Sequence, residues 1–303
     1  MSTTKKIKKL NDDKLFYYIA FSLPILQFLI FYVYVNFNSI ILAFKEYDPT
    51  GNIFNIVWFK NIKQVVVDFF SVAELGIAFK NSIVYYIINT LVATTLTLFF
   101  SYYIFKKRVG ASFFKVILFL PSIISSIVFV VLFKFSTERL VPEIYRLITG
   151  IKIAGLLENP DTTLGTIYFF NIWAGFGMGI LMYSGAMSGI SDSVMEAAKL
   201  DGANFFYEFF KIVLPAIYPT FVTFMIMGIG GMFNTQLSVY SFYSKNAEYR
   251  LYNVGYYLFV KTAHSSEAGY PYLAAMGIVL TCICAPLTFG LKKLLEKLGP
   301  SAE

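Results

Sequence analysis

The chain has 303 residues, 57% hydrophobic and 19% aromatic, with only 14% charged and a formal net charge of +7. A soluble globular domain carries about a quarter charged residues, so a water-soluble fold is excluded. One histidine and two cysteines exclude a disulfide framework and a histidine-rich metal centre.

In chain order, residues 1–14 are a polar, lysine-rich tail. Six runs then lack any Asp, Glu, Lys, Arg or His: 15–44, 81–105, 116–133, 162–191, 212–244 and 268–291. Each reaches the roughly 18–20 residues that a helix needs to cross a bilayer. At these lengths only helices satisfy their own backbone groups in lipid. The expectation is an all-α polytopic membrane protein of one domain. Its six transmembrane helices lie near 15–40, 82–105, 116–133, 164–187, 216–240 and 271–291, with a tail at 292–303. The first run is too long for a signal peptide and no small-residue cleavage site follows, so it reads as a retained span. Pro24 fits a kink within it. Asp48-Pro49-Thr50-Gly51 reads as a turn in an outer segment, and Pro142–Ile148 as a short helix in the next.

The positive charge would suit nucleic acid, but its placement does not. Lys5, Lys6, Lys8, Lys9 and Lys14 precede span one. Lys106, Lys107, Arg108 and Lys115 separate spans two and three, and Lys292, Lys293 and Lys297 follow span six. These ends share one side, which is cytosolic by the bias of basic loops. Both termini, and the loop between spans four and five, then face the cytosol.

That loop has its own pattern. Ser193 and Glu196 have capping-box spacing. Asp201-Gly202 is a turn pair in which glycine supplies a positive φ. Phe205, Phe206, Phe209, Phe210 and Ile212 follow as an apolar stripe at helical spacing, ended by Pro215. A helix pair with Ala and Phe uncovered by its own chain suits a groove on another protein.

Glu196-Ala197-Ala198-x-x-Asp201-Gly202-Ala203, then Phe209, Ile212-x-Leu214-Pro215 and Pro219, resembles the signature loop of ABC importer permeases. The fuller pattern is similar to the sugar-importer branch, the family of maltose and glycerol-phosphate permeases. Asn81-Ser82 and Leu120-Pro121-Ser122 add weaker similarities. The resemblance implies a permease subunit in a bacterial cytoplasmic membrane. Its partners would be a second, related permease (as a heterodimer), an ATPase dimer and an extracellular solute-binding protein. Glu196, Ala197, Ala198, Asp201, Gly202, Ile212, Leu214 and Pro215 would then couple the chain to the ATPase. ATP and Mg would be bound by that subunit, since no phosphate-cradling Gly-x-x-x-x-Gly-Lys-Ser/Thr occurs here and the chain needs no cofactor of its own.

No span holds an acid, a base or a His, which argues against a membrane hydrolase and a proton-relay transporter. The spans hold neutral polar groups instead. Asn171, Trp173 and Gly175 lie in span four; Asn234, Gln236 and Tyr240 lie in span five; Asn89, Thr90 and Thr94 lie in span two. Amides and aromatic faces suit sugar hydroxyls and pyranose faces. They equally suit hydrogen bonding between helices. The resemblance puts Asn171, Trp173, Asn234 and Gln236 on the substrate path, and Gly175 and Tyr240 are expected beside them. Gly177, Gly179, Gly185 and Gly189 suit close helix packing. Cys282 and Cys284 read as buried thiols, and His264 as a surface residue. A neutral sugar or oligosaccharide is the favoured cargo; glycerol phosphate, phosphate or peptide is the alternative, and a membrane sensor or assembly protein a third reading.

Overall fold

A computed structural model describes residues 12–300. Lys5, Lys6, Lys8 and Lys9 of the expected tail lie outside the described residues, and Asp12 already begins a helix. The described residues form two units, one running up to Val66 with Ser265–Val279, the other of Val67–His264 with the chain from Leu280 on.

In the first unit, α1 (Phe16–Leu42) runs through Pro24 and widens into a π-helical turn at Phe28–Tyr34. Its flanks are exposed along almost the whole length. Two short strands interrupt the all-α expectation: β1 (Lys45–Asp48) pairs antiparallel with β2 (Ile53–Ile56), Asp48 opposite Ile53. The predicted turn closes them, because the Asp48 carboxylate accepts the Thr50 N–H and hydroxyl at 2.9 and 2.6 Å. Helix α2 (Lys60–Ser71) follows, and the Asn61 amide donates to the Ala43 and Lys45 carbonyls.

The second unit takes in the end of α2 and then α3 (Ala73–Phe105), which contains a π-helical turn at Asn89–Thr94. Next come α4 (Ala111–Ile123) and α5 (Ser126–Thr149), bent by 105°. Pro121 cannot donate an amide into its turn, and the helix gives way to extended backbone at Ile124 and Ser125. Helix α5 therefore carries the third run on through Pro142–Ile148. Helix α6 (Pro160–Met187) is unbroken, with Asn159 capping the Asp161 N–H. Helices α7 (Asp192–Leu200) and α8 (Phe205–Ala216) form the hairpin, and α8 meets α9 (Tyr218–Met232) at 71°. Helix α9 stops well short of residue 240. Glycines 228, 230 and 231 weaken it, and Leu237 and Ser238 take left-handed backbone before α10 (Val239–Tyr243). Helix α11 (Val254–His264) occupies much of the expected outer loop. Its entry is held by the Asn81 amide, which donates to the Arg250 and Tyr252 carbonyls, and by the Ser82 hydroxyl, which accepts from the Val254 N–H. Gly255 is required there, since a Cβ would overlap the Thr235 carbonyl. Helix α12 (Tyr270–Leu298) spans both units and continues into the expected C-terminal tail.

Among the described residues, four helices are long and apolar enough to cross a membrane, and six if each bent pair counts as one span. Cys282 is exposed rather than buried, because it sits on an outward face of α12; Cys284 is half-buried.

Gly177 and Gly179 pack as small-residue contacts. A Cβ on Gly177 would meet the Ser122 hydroxyl at 2.7 Å and the Phe119 Cα at 3.1 Å; one on Gly179 would meet Thr97 at 2.8 Å. At Gly177 one of the close atoms, the Phe119 Cα, is backbone and cannot swing away as a side chain could. Gly177→Leu is therefore expected to cost at least the ~1–3 kcal/mol typical of overpacking. A lowered unfolding temperature in detergent is the measurement, and an unchanged one would contradict the packing of α4 on α6.

Candidate functional site

The hairpin is built as two faces. Helix α7 begins at Asp192 with Ser191 as its N-cap, so the expected Ser193–Glu196 capping box does not form; both residues lie inside the helix. Gly202 takes φ +76° and ends α7, with the Ala203 N–H bonded to the Ala198 carbonyl. Asn204 then caps α8 through the Tyr207 N–H at 2.9 Å. The outward face carries Glu196, Ala197, Lys199, Leu200, Asp201 and Gly202, all exposed. Leu200 is 89% exposed.

The inward face corrects the expectation that the hairpin is uncovered by its own chain. Met195, Ala198, Phe209 and Val213 are buried, while Ile212, Leu214 and Pro215 are half-buried. Helix α3 supplies the cover: Phe99 stacks on Phe209 at 4.8 Å, and Tyr102 packs on Phe205 at 4.6 Å and Phe209 at 5.1 Å. Fully burying a side chain such as Phe209 contributes about 1.5–3 kcal/mol. Sequence periodicity found the stripe but not its partner, which lies more than a hundred residues earlier. Of the two alanines, only Ala197 remains free for another protein.

One ionic group inside this face escaped the sequence reading. The Lys106 ammonium donates to both oxygens of Glu208 at 2.7 and 3.0 Å, and the Tyr102 hydroxyl donates to the first at 2.8 Å. The side chains are 14% and 4% exposed for Lys106 and Glu208. Removing one member of a buried pair leaves an uncompensated charge and typically costs ~3–5 kcal/mol. Nearby, Lys107, Arg108, Lys115, Lys199 and Asp192 line an open recess of ≈ 830 Å³.

A second feature is a cavity of ≈ 320 Å³ between α3, α6 and α9. Its walls include Tyr86, Asn89, Thr90 and Thr94 of α3, Asn171, Gly175 and Tyr183 of α6, and Phe224 of α9. The π-helical turn at Asn89–Thr94 turns that run of polar side chains along the wall. The Tyr183 hydroxyl is buried without a hydrogen-bond partner among the described residues.

The six residues expected on the substrate path do not converge. Asn171 and Gly175 line the cavity. Trp173 lies on another face of α6, in an apolar groove of ≈ 760 Å³ with Phe129, Phe133 and Phe169. Asn234 is exposed and donates to the Gly230 carbonyl. Gln236 is half-buried in the turn after α9, and Tyr240 packs edge-on against Phe259 at 4.8 Å between ring centres. Asn171 itself is engaged: its amide donates to the Ile167 and Leu237 carbonyls at 2.8 Å each, and its oxygen accepts from Ser238 at 3.1 Å. It pins the left-handed turn at Leu237–Ser238. Tyr86, Tyr183 and Phe224 were missed because aromatics in apolar runs give no periodic signal. Among the described residues no cluster of three metal-ligating side chains occurs.

The family model of the binding-protein-dependent transport system inner membrane component matches residues 93–298. The arabinooligosaccharides transport system permease protein AraP of Halalkalibacterium halodurans is 24% identical over 280 residues, 90% of this chain and 85% of its own. The polygalacturonan/rhamnogalacturonan transport system permease protein YteP of Bacillus subtilis is 24% identical over 297 residues, 96% of this chain and 90% of its own. In fold, the chain is similar to one in a bacterial alginate ABC transporter crystallised with an alginate pentasaccharide-bound periplasmic protein. The TM-score is 0.76 at 19% identity, covering 98% of this chain and 99% of that one.

Proposed function

We propose, from the premise that this chain belongs to the family of binding-protein-dependent transport system inner membrane components, that it is one permease subunit of an ATP-driven sugar or oligosaccharide importer. It lies in the cytoplasmic membrane with both termini and the α7–α8 hairpin in the cytosol. A second, related permease completes the pathway, a separate ATPase dimer holds ATP and Mg, and an extracellular binding protein delivers the sugar. The sugar-transport names of AraP and YteP, the alginate-transporter fold and the charge-free spans support this cargo class.

The observation that carries the reading is the hairpin: two short helices about a left-handed glycine, exposed on one side and clamped to the chain on the other. Glu196, Ala197 and Gly202 meet the ATPase. Ala198, Ile212, Leu214 and Pro215 hold the hairpin's shape, and Asp201 leads into its turn. When the ATPase dimer closes, it binds one position of this hairpin better than the other, and that difference drives alternating access. The sugar passes the α3–α6–α9 cavity, where Asn89 and Thr90 offer hydrogen bonds and Tyr86 an aromatic face.

The experiment is purification from the native membrane followed by binding and uptake with a panel of mono- and oligosaccharides. An ATPase and a second six-span chain should accompany this one. A single cysteine at Leu200, with Cys282 and Cys284 replaced by Ala, should resist membrane-impermeant thiol reagents in intact cells. Labelling from outside would overturn the topology and the function with it.

A further inference from the structure

We propose that Lys106, Tyr102 and Glu208 form a latch that makes α3 move with the ATPase-facing hairpin, Glu208 being its positioning residue. The inference rests on the importer reading above and extends it to a helix the hairpin is not covalently joined to. The chain itself connects α7 and α8 only to α6 and α9. Helix α3 is reached through side chains alone.

Three observations point to a mechanical link. Asp192, Glu196 and Asp201 are exposed on the hairpin, whereas Glu208 is its one buried carboxylate among the described residues. A groove on another protein has no access to it. Its two oxygens take three hydrogen bonds, all from α3 or the residue that ends it. Directed bonds at 2.7–3.0 Å resist sliding, which the stacked rings of Phe99 and Phe209 do not. Lys106 also stands at the C-terminal end of α3, where the helix dipole favours a cation.

The latch has a destination. Thr94 lies twelve residues before Lys106, about 18 Å along the helix, and the π-helical turn it closes forms a wall of the cavity. A rigid α3 would carry hairpin motion to that wall without passing through α6 or α9.

The test uses the whole importer, with Cys282 and Cys284 replaced by Ala and spin labels at two pairs of exposed sites. Val109, in the loop after α3 and tied to it by the Tyr103 hydroxyl, with Leu200 reports the end of α3 against the hairpin; Leu200 with Leu298 reports the hairpin against α12. In the parent protein, MgATP with vanadate should change the second distance and leave the first a single narrow distribution. In Glu208→Gln the first distance should split on adding nucleotide while the second still responds. The exchange Lys106→Glu with Glu208→Lys should restore the single distribution, which loss of a merely structural contact would not predict. A first distance that changes with nucleotide in the parent, or stays fixed in Glu208→Gln, overturns the latch. A second distance that ignores nucleotide in the parent overturns the importer reading and the latch with it. Should Glu208→Gln fail to accumulate, Tyr102→Phe removes one bond of the three, and the parent distances still decide.

Discussion

Gly202→Asp is expected to abolish sugar-stimulated ATP hydrolysis and uptake while the chain still inserts and folds. Gly202 sits at φ +76°, and a Cβ there meets nothing within 4 Å. The conformational cost is that of one left-handed residue, roughly 1–2 kcal/mol, and Asp is among the side chains that tolerate it best. The hairpin's inward face, with Met195, Ala198, Phe209 and Val213 buried, is untouched by the change. What changes is the outward tip, where a carboxylate would stand between backbone and ATPase. Membrane abundance and unfolding temperature should stay close to those of the parent, and stimulated hydrolysis should fall to the unstimulated rate. Gly202→Ala separates the causes. It shares the backbone strain but adds one methyl, so it should retain part of the stimulation. Equal loss in both would trace the defect to strain, and normal uptake in Gly202→Asp would refute the hairpin's role.

The hairpin was legible because its constraints are local. A glycine at a turn, small residues beside it and a proline after an apolar stripe are readable at fixed spacing. The membrane helices were legible for a similar reason, since charge is expelled from every run long enough to cross. The bends were not. Pro121 announced a weakness in the third run, but only the structure puts the break at Ile124–Ser125 and turns the helix by 105°. The early stop of α9 depends on Asn171, sixty-six residues before Leu237, whose amide stabilises the turn. The same distance problem hid the hairpin's partner. Lys106 reads as one more basic residue that fixes topology, and nothing in the sequence pattern singles out Glu208. Their pairing exists only because α3 packs against α8.

Gly175→Phe is expected to stop uptake without uncoupling the ATPase. Gly175 lines the α3–α6–α9 cavity and its Cβ would enter open space. Replacing a mid-helix glycine removes the ~0.5–1 kcal/mol it costs relative to alanine, so α6 should not be weakened. A phenyl ring there occupies much of the room that a sugar needs between Tyr86, Asn89 and Tyr183. Binding-protein-stimulated ATP hydrolysis should persist, because the hairpin and its contacts with α3 are intact. Gly165→Phe is the matched control. Its Cβ also meets open space, but it lines the apolar groove with Phe169 and Trp173. Both variants make the same change in the same helix, so propensity and bulk cancel between them. Uptake lost in Gly175→Phe and kept in Gly165→Phe assigns the path to the face with Asn171. The reverse result assigns it to the face with Trp173, whose aromatic walls offer a sugar ring stacking but few hydrogen bonds. That poverty of donors and acceptors is the physical reason for expecting the first outcome: a sugar crossing the bilayer must exchange its water for polar partners, and these line the Asn171 face.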